Sequence, residues 1–279
     1  MLTANWHAPQ NCSVQDVDLP LEAMIDHRAI IHPTARIAPN VQIGPWTIIG
    51  PHVEIGEGTW VGPHVVIQGP TKIGCYNKIY QFSSIGEAPQ DRKFQGEQTF
   101  LEIGDRNVIR EFCTFNRGTA QDKSHTKIGN DNLFMAYVHI AHDCIVGNHT
   151  IFANNASLAG HVVVEDFAIL SGFSGAFQFC RVGTHSFLAM GTMIEKDVPP
   201  FVKVSGYYAE PFGLNTVGLK RRGFSGETLV NIRRAYKTIY RKGLTLKAAL
   251  AELNTMTATC PEIQVLIDFI QASTRGIVR

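Results

Sequence analysis

Apolar residues recur every six positions along most of this chain, at Ile31, Ile37, Ile43, Ile49, Ile55, Val61, Ile67, Ile73, Ile79 and Ile85. The register returns at Ile103, Ile109 and Phe115. After a one-residue slip it runs through Ile128, Phe134, Ile140, Val146, Phe152, Leu158, Val164, Leu170, Ala176, Val182, Leu188 and Ile194. A small or β-branched residue follows four places later, as at Val41, Thr47, Val53, Thr59 and Cys144, and glycine directly follows the apolar residue in ten hexads. A period of six matches neither the 3.6 of a helix nor the 2 of a long strand. It fits a short flat strand and a corner, three times per turn of a triangular coil, with the aliphatic and the small residue both facing inward. Three hexads make a coil, so residue i stacks beneath i+18 at a strand spacing of roughly 4.8 Å. Gly, Asn and Asp are expected to supply positive φ at the corners.

Two polar segments, 87–100 and 117–126, lack the hexad and are expected to be loops thrown out from corners, where a rigid scaffold tends to carry its chemistry. From Pro199 the spacing turns helical over 213–223, 225–242, 245–254 and 261–273, with Ser225 and Thr245 placed as N-caps. The chain therefore divides into an N-terminal extension and lead-in (1–29), a parallel β-helix (30–205) and a C-terminal α-helical domain (206–279), a mainly β fold.

Composition narrows the setting. Apolar residues are 44% and charged residues 18% of the 279, as in a folded globular protein. The N-terminus has no basic start followed by an apolar run, and no stretch of 18 apolar residues exists, so neither a signal peptide nor a membrane span is expected and a cytoplasmic location is. Six cysteines include no CxxC pair; Cys113, Cys144 and Cys180 share one inward hexad position and read as small apolar fillers, without disulfides. The net charge of +1 is unevenly spread: nine Lys or Arg between Lys203 and Lys242 face only Glu210 and Glu227. Such a basic helical patch suits an acidic partner. Nucleic acid is disfavoured because only Tyr236 and Tyr240 are available there to stack on bases.

The densest polar cluster within the repeat is His139-Ile140-Ala141-His142-Asp143, with Gly160-His161 one coil on. The stacking arithmetic sets His142 beneath Gly160 and Asp143 beneath His161. An imidazole under an unobstructed glycine N–H pairs a general base with an oxyanion donor. Asp143 is a candidate to fix the histidine's tautomer, although neighbours on a strand face opposite ways. Zinc is the rival use of these residues, as in trimeric β-helix carbonic anhydrases. His139 and His142, three apart on flat backbone, diverge too far to favour it, and no metal site is expected.

The strings IGPHVEIGEG, TKIG, IYQFSSIGE, HIAHDCIVGN, LAGHV, KDVPP and GLKRRGFS resemble the acyl-carrier-protein-dependent UDP-N-acetylglucosamine O-acyltransferases that begin lipid A synthesis in Gram-negative bacteria. The resemblance runs from Met24 to Arg279 and implies a left-handed coil and a homotrimer with active sites between neighbouring prisms. It further implies His142 as general base on the glucosamine 3-hydroxyl, attacking the thioester of a 3-hydroxyacyl-carrier protein, with Gly160 N–H holding the oxyanion. His139, Asp91 and Lys93 would hold sugar and acyl donor, with His161 nearby. Gln178, Asn215, Arg221 and Arg222 would contact the nucleotide sugar or its pyrophosphate, and the basic helices would receive the carrier protein. No cofactor is implied, because the thioester is already activated. Met190, where long-chain relatives have glycine, implies a shorter acyl chain of about ten carbons, since a buried thioether fills the space of several methylenes. Two family histidines are replaced here, by Asn116 and Phe177. Residues 1–23 have no counterpart, which leaves Met24 as an alternative start.

The sibling N-acyltransferases that act on UDP-3-acyl-glucosamine carry an additional N-terminal uridine-binding domain, for which about 30 residues before the first hexad are too few. Coenzyme A-dependent acetyl and succinyl transferases share the prism without this basic helical tail. A non-catalytic β-helix would account for the hexads but not for the loops or the histidine cluster.

Overall fold

Inward placement of two positions per hexad, one large and apolar and one small or polar, is what winds the chain. In a computed structural model, which describes residues 25–279, these positions are buried from Val41 and Ile43 up to Cys180 and Val182. The extension 1–23 and Met24 lie outside the described residues. Phe115, Phe134 and Phe152 fill the middle of the prism as adjoining rings, with centroids 4.9 and 5.0 Å apart. Cys113, Cys144 and Cys180 are buried free thiols in the same interior, as expected of small fillers.

The strands form three sheets, parallel but for the last strand of the third, which are the faces of a left-handed prism. The first sheet has nine strands, from Ile30–Ile31 to Met193–Ile194, and the second has eight, from Arg36–Ile37 to Arg181–Val182. The third has ten, beginning at Gln42–Ile43. Register follows the i+18 rule, as in Ile48↔Val66 and His139↔Ser157. Where Leu101 pairs Thr71 and Ile103 pairs Ile128, the offsets are 30 and 25, so the two insertions add 12 and 7 residues. The first loop is 88–99. The second is 117–124, shorter than expected, because His125 and Thr126 already belong to strand His125–Ile128.

The corners depart from expectation. Asn40, Asp131, Asp143 and Asn155 do adopt positive φ, but most left-handed corners hold large rings, among them Trp46, His64, Phe82, Phe112, Tyr137, Phe167 and His185. Stacking explains this. Trp46, His64, Phe82, Phe112 and Tyr137 lie face to face in successive coils, 4.8–5.4 Å apart. Ring-on-ring contact offsets the roughly 1–2 kcal/mol cost of the left-handed backbone. The glycines after the apolar residue serve a different need, namely close approach. A Cβ on Gly56 would come within 2.7 Å of Gly74 backbone, and one on Gly104 within 2.7 Å of Gly129.

The helical domain is not cut off at 205. Val202–Ser205 adds to the third sheet in parallel, and Glu210–Leu214 pairs back on it antiparallel, so the first residues expected to be helical are strand. Four helices follow: α1 (Thr216–Arg221), α2 (Gly226–Tyr240), α3 (Leu246–Met256) and α4 (Glu262–Gln271). Ser225 and Thr245 cap α2 and α3, accepting the N–H of Thr228 and Ala248. Leu219, Ile232, Ile239, Leu253 and Ile267 close a second core, which leaves Lys220, Arg221, Arg233, Arg234, Lys237, Arg241 and Lys242 on the outside.

Candidate active site

The prism has three edges, and one of them collects the chemistry. Both loops leave from the corner joining the first sheet to the second, after Ile85 and Phe115; Ala141-His142-Asp143, Ala159-Gly160-His161 and Phe177-Gln178-Phe179 are its next three corners. Register thus gathers on one edge residues far apart in sequence.

At this edge the His142 ring lies flat against Gly160: a Cβ there would be 2.5 Å from its Cε1 and 2.7 Å from its Nε2. Asp143 sits at a corner with φ +59 rather than on a strand, and this turn brings its carboxylate back to its neighbour, Oδ2 lying 2.9 Å from His142 Nδ1. The alternation argument against the pair therefore does not apply. Asp143 is fully buried. Burial alone would push its carboxyl up, but hydrogen bonds from His142 and Thr119 outweigh this and hold it below the usual range. An ionised carboxylate only accepts, so the hydrogen bond assigns a ring proton to Nδ1 and leaves Nε2 to face the substrate. Nε2 has no partner among the described residues and is not sealed: His142 keeps 7% of its surface exposed. The Gly160 N–H likewise donates to nothing among the described residues, whereas its carbonyl accepts from Phe179.

His139 is half-buried on the strand His139–Ile140 that leads into this corner, with Nδ1 2.7 Å from Thr114 Oγ1. Burial, reinforced by His142, lowers its pKa and keeps it neutral. Beyond it the first sheet is trimmed by Ser157 and Gly175 into a groove of ≈ 560 Å³, walled by Phe177, Met193, Tyr207 and Tyr208. His161 stands edge-on to His142 with centroids 5.0 Å apart, stacks on Phe179, and bonds Asp122 Oδ2 at 2.6 Å. His142, Asp143 and His161 offer ligand atoms within 4.8 Å of one another. Both Nδ1 atoms and Asp143 Oδ2 are already engaged in hydrogen bonds, in two separate sets, His142–Asp143–Thr119 and His161–Asp122.

Other expected site residues lie elsewhere in the single chain. Gln178 is exposed on the active edge, one coil above Gly160. Asp91 and Lys93 belong to the first loop, where the Asp91 carboxylate accepts the Lys93 N–H at 3.0 Å. Asn215 and Arg222 dock on the edge between the second and third sheets. Asn215 donates to the His185 carbonyl at 3.0 Å, and the Arg222 guanidinium covers Phe167 at 4.6 Å. Arg221 is exposed nearby, at the end of α1. Met190 is 72% exposed on the remaining edge, with Cε 3.9 Å from where a Gly172 Cβ would lie; the methionine lining the groove is Met193. Asn116 ties the roots of the two loops, donating to the Ala88 carbonyl at 2.9 Å, and Phe177 lies under Arg275. Sequence reasoning missed Thr119, Asp122 and Lys123. The signal was the phase of the second loop, which leaves one coil beneath His142.

Residues 22–56 and 125–160 match the bacterial transferase hexapeptide family (six repeats), and residues 197–278 match domain 2 of UDP N-acetylglucosamine O-acyltransferase. The acyl-[acyl-carrier-protein]–UDP-N-acetylglucosamine O-acyltransferase of Stutzerimonas stutzeri is 60% identical, over 92% of this chain and 100% of its own length. The chain belongs to that acyltransferase family. Solved structures agree. The UDP-N-acetylglucosamine O-acyltransferase of Moraxella catarrhalis is 48% identical with a TM-score of 0.90, covering 92% of this chain and 100% of its own. The UDP-N-acetylglucosamine acyltransferase of Francisella novicida is 43% identical with a TM-score of 0.90, covering 92% and 94%. The left-handed coil and the acyltransferase class that the resemblance implied are thereby borne out.

Proposed function

We propose that this acyltransferase moves a 3-hydroxyacyl group from an acyl carrier protein to the 3-hydroxyl of UDP-N-acetylglucosamine, the opening step of lipid A synthesis, with His142 as general base. The observation that carries the mechanism is the His142 ring held between the Asp143 carboxylate and Gly160, with Nε2 and the Gly160 N–H both free. Nε2 removes the sugar hydroxyl proton as that oxygen bonds the thioester carbon. The Gly160 N–H receives the developing oxyanion, and Asp143 stabilises the imidazolium. When the carbon–sulfur bond breaks, the proton passes from His142 to the carrier thiolate, and the ester remains on the sugar. His139, neutral and beside the groove, suits positioning of substrate. The basic outer faces of α1 and α2 suit an acidic carrier protein. Free thiols at every described cysteine fit a reducing cytoplasm, and among the described residues no helix is long and apolar enough to cross a membrane.

The site is shared between copies in a homotrimer. What supports this is that His142, Gly160 and Gln178 occupy one edge while Asn215 and Arg222 occupy another, so one prism presents two half-sites. Co-expressed His142→Ala and Arg222→Ala chains, each inactive alone, are expected to recover on the order of a quarter of wild-type turnover, because in a random equal mixture one interface in four pairs two intact halves. No recovery would count against a shared site.

Met190 is the acyl ruler that the resemblance implies. It is exposed in the single chain and lies outside the groove lining, rather than buried as expected, so it acts on chain length only where a neighbouring copy covers it. Wild-type protein assayed with UDP-N-acetylglucosamine and a ladder of 3-hydroxyacyl-carrier proteins is expected to prefer chains of about ten carbons, and Met190→Gly to move the optimum longer by several methylenes. Absence of turnover with every donor would overturn the reaction, and an unchanged optimum in the variant would remove the ruler.

A further inference from the structure

The second loop folds back over the buried end of the His142–Asp143 pair. Thr119 is its point of contact, with 1% of its surface exposed. Its backbone N–H lies 3.1 Å from Asp143 Oδ1 and 3.0 Å from Oδ2, and its hydroxyl donates to Oδ2 at 2.6 Å. The rest of the loop braces the same corner. Lys123 Nζ donates to the Asp143 carbonyl at 3.3 Å, Asp122 holds His161 at 2.6 Å, and Thr126 Oγ1, on the strand that follows, accepts the Asp143 N–H at 2.9 Å.

We propose that Thr119 is a positioning residue for catalysis: its two donors keep Asp143 ionised and aimed, and so fix His142 in the one tautomer that leaves Nε2 free. The inference rests on the acyl-transfer reading for its role, but the geometry stands independently. A buried carboxyl has two ways to bond an imidazole Nδ1. As a carboxylate it accepts from Nδ1–H, and the ring is a base at Nε2. As a neutral acid it donates to Nδ1, the ring proton moves to Nε2, and the base is lost. Full burial favours the neutral acid. Two donors from Thr119 oppose this, because a carboxylate oxygen receiving two hydrogen bonds gains far more from them than a neutral carboxyl does. His161 is not a substitute donor, since its Nδ1 is 3.9 Å from Asp143 Oδ2 and already engaged by Asp122. Thr119 does not line the groove, and its hydroxyl bonds Asp143 alone, so the hydroxyl acts through Asp143 while the Thr119 carbonyl accepts the Ser124 and Asp122 N–H and shapes the loop.

The test compares Thr119→Val, which keeps shape and N–H but removes the hydroxyl, with Thr119→Ser, which restores it. Charge-assisted bonds of this kind predict a fall in kcat of about ten- to thirtyfold for Thr119→Val, with KM for UDP-N-acetylglucosamine within about twofold, and recovery to within about threefold in Thr119→Ser. On an Asp143→Asn background, Thr119→Val should bring no further loss. A readout needing no substrate is the tautomer of His142 in protein carrying isotope-labelled histidine, assigned by its disappearance in His142→Ala. The Nδ1–H form should dominate in wild type and Thr119→Ser and decline in Thr119→Val. Unchanged kcat in Thr119→Val, an equal further loss on the Asp143→Asn background, or an unshifted tautomer would each overturn the assignment. Because the tautomer is read without turnover, failure of the acyl-transfer reading is distinguishable from failure of this one.

Discussion

Gly160→Ala is expected to lower kcat by about 10²- to 10³-fold while the chain still folds and assembles. The variant keeps the backbone N–H, and Gly160 does not occupy the left-handed region, so an alanine there meets no backbone strain. What it meets is His142, with a methyl carbon 2.5 Å from Cε1 and 2.7 Å from Nε2. The ring cannot yield cheaply, because it is almost fully buried and tied to Asp143 at 2.9 Å. It must swing off the carboxylate or push the upper coil away, and either motion takes Nε2 out of line with the oxyanion donor. A displacement of about 1 Å is enough to cost 10²-fold. Steady-state kinetics beside thermal unfolding would check this, with turnover lost and the midpoint nearly kept. Wild-type kcat in Gly160→Ala would mean that the ring does not rest where the structure places it.

The prism was legible because one physical rule repeats on both sides of two insertions. Ile43, Ile49, Ile55 and Val61 have to face the same dry interior, and a period of six allows that only in a coil of short strands. The stacking of His142 under Gly160 followed from the same arithmetic, since i+18 holds between the loops and the helices. The corners were not legible, because left-handed backbone is usually read from Gly, Asn and Asp. Here Trp46, Phe82 and Tyr137 tolerate it through stacking on residues 18 or more positions away. The Asp143 carboxylate was obscured for a related reason. The alternation of a strand does not hold for a residue that sits in a turn. Thr119 was hidden because hexad periodicity is silent inside an insertion, even though the insertion's root, Phe115, stacks under Ile140. Asn215, Arg222 and Met190 could be named by resemblance, but no sequence pattern in one chain says which edge of the prism each will occupy.

The central claim is that the His142 imidazole takes the sugar proton. It is tested most directly by the kcat of His142→Ala with UDP-N-acetylglucosamine and a 3-hydroxydecanoyl carrier protein, measured on protein shown to keep its oligomeric state and thermal midpoint. Alanine removes the Nε2 base and leaves Asp143 bonded to Thr119, so the fold has little reason to change. A sugar hydroxyl is too weak an acid to ionise unaided, and a positioned base contributes about 10²–10⁴-fold. Turnover reduced into that range, with assembly intact, is the result predicted. Turnover within about threefold of wild type would contradict the account, because a loss that small is below what removing a general base costs.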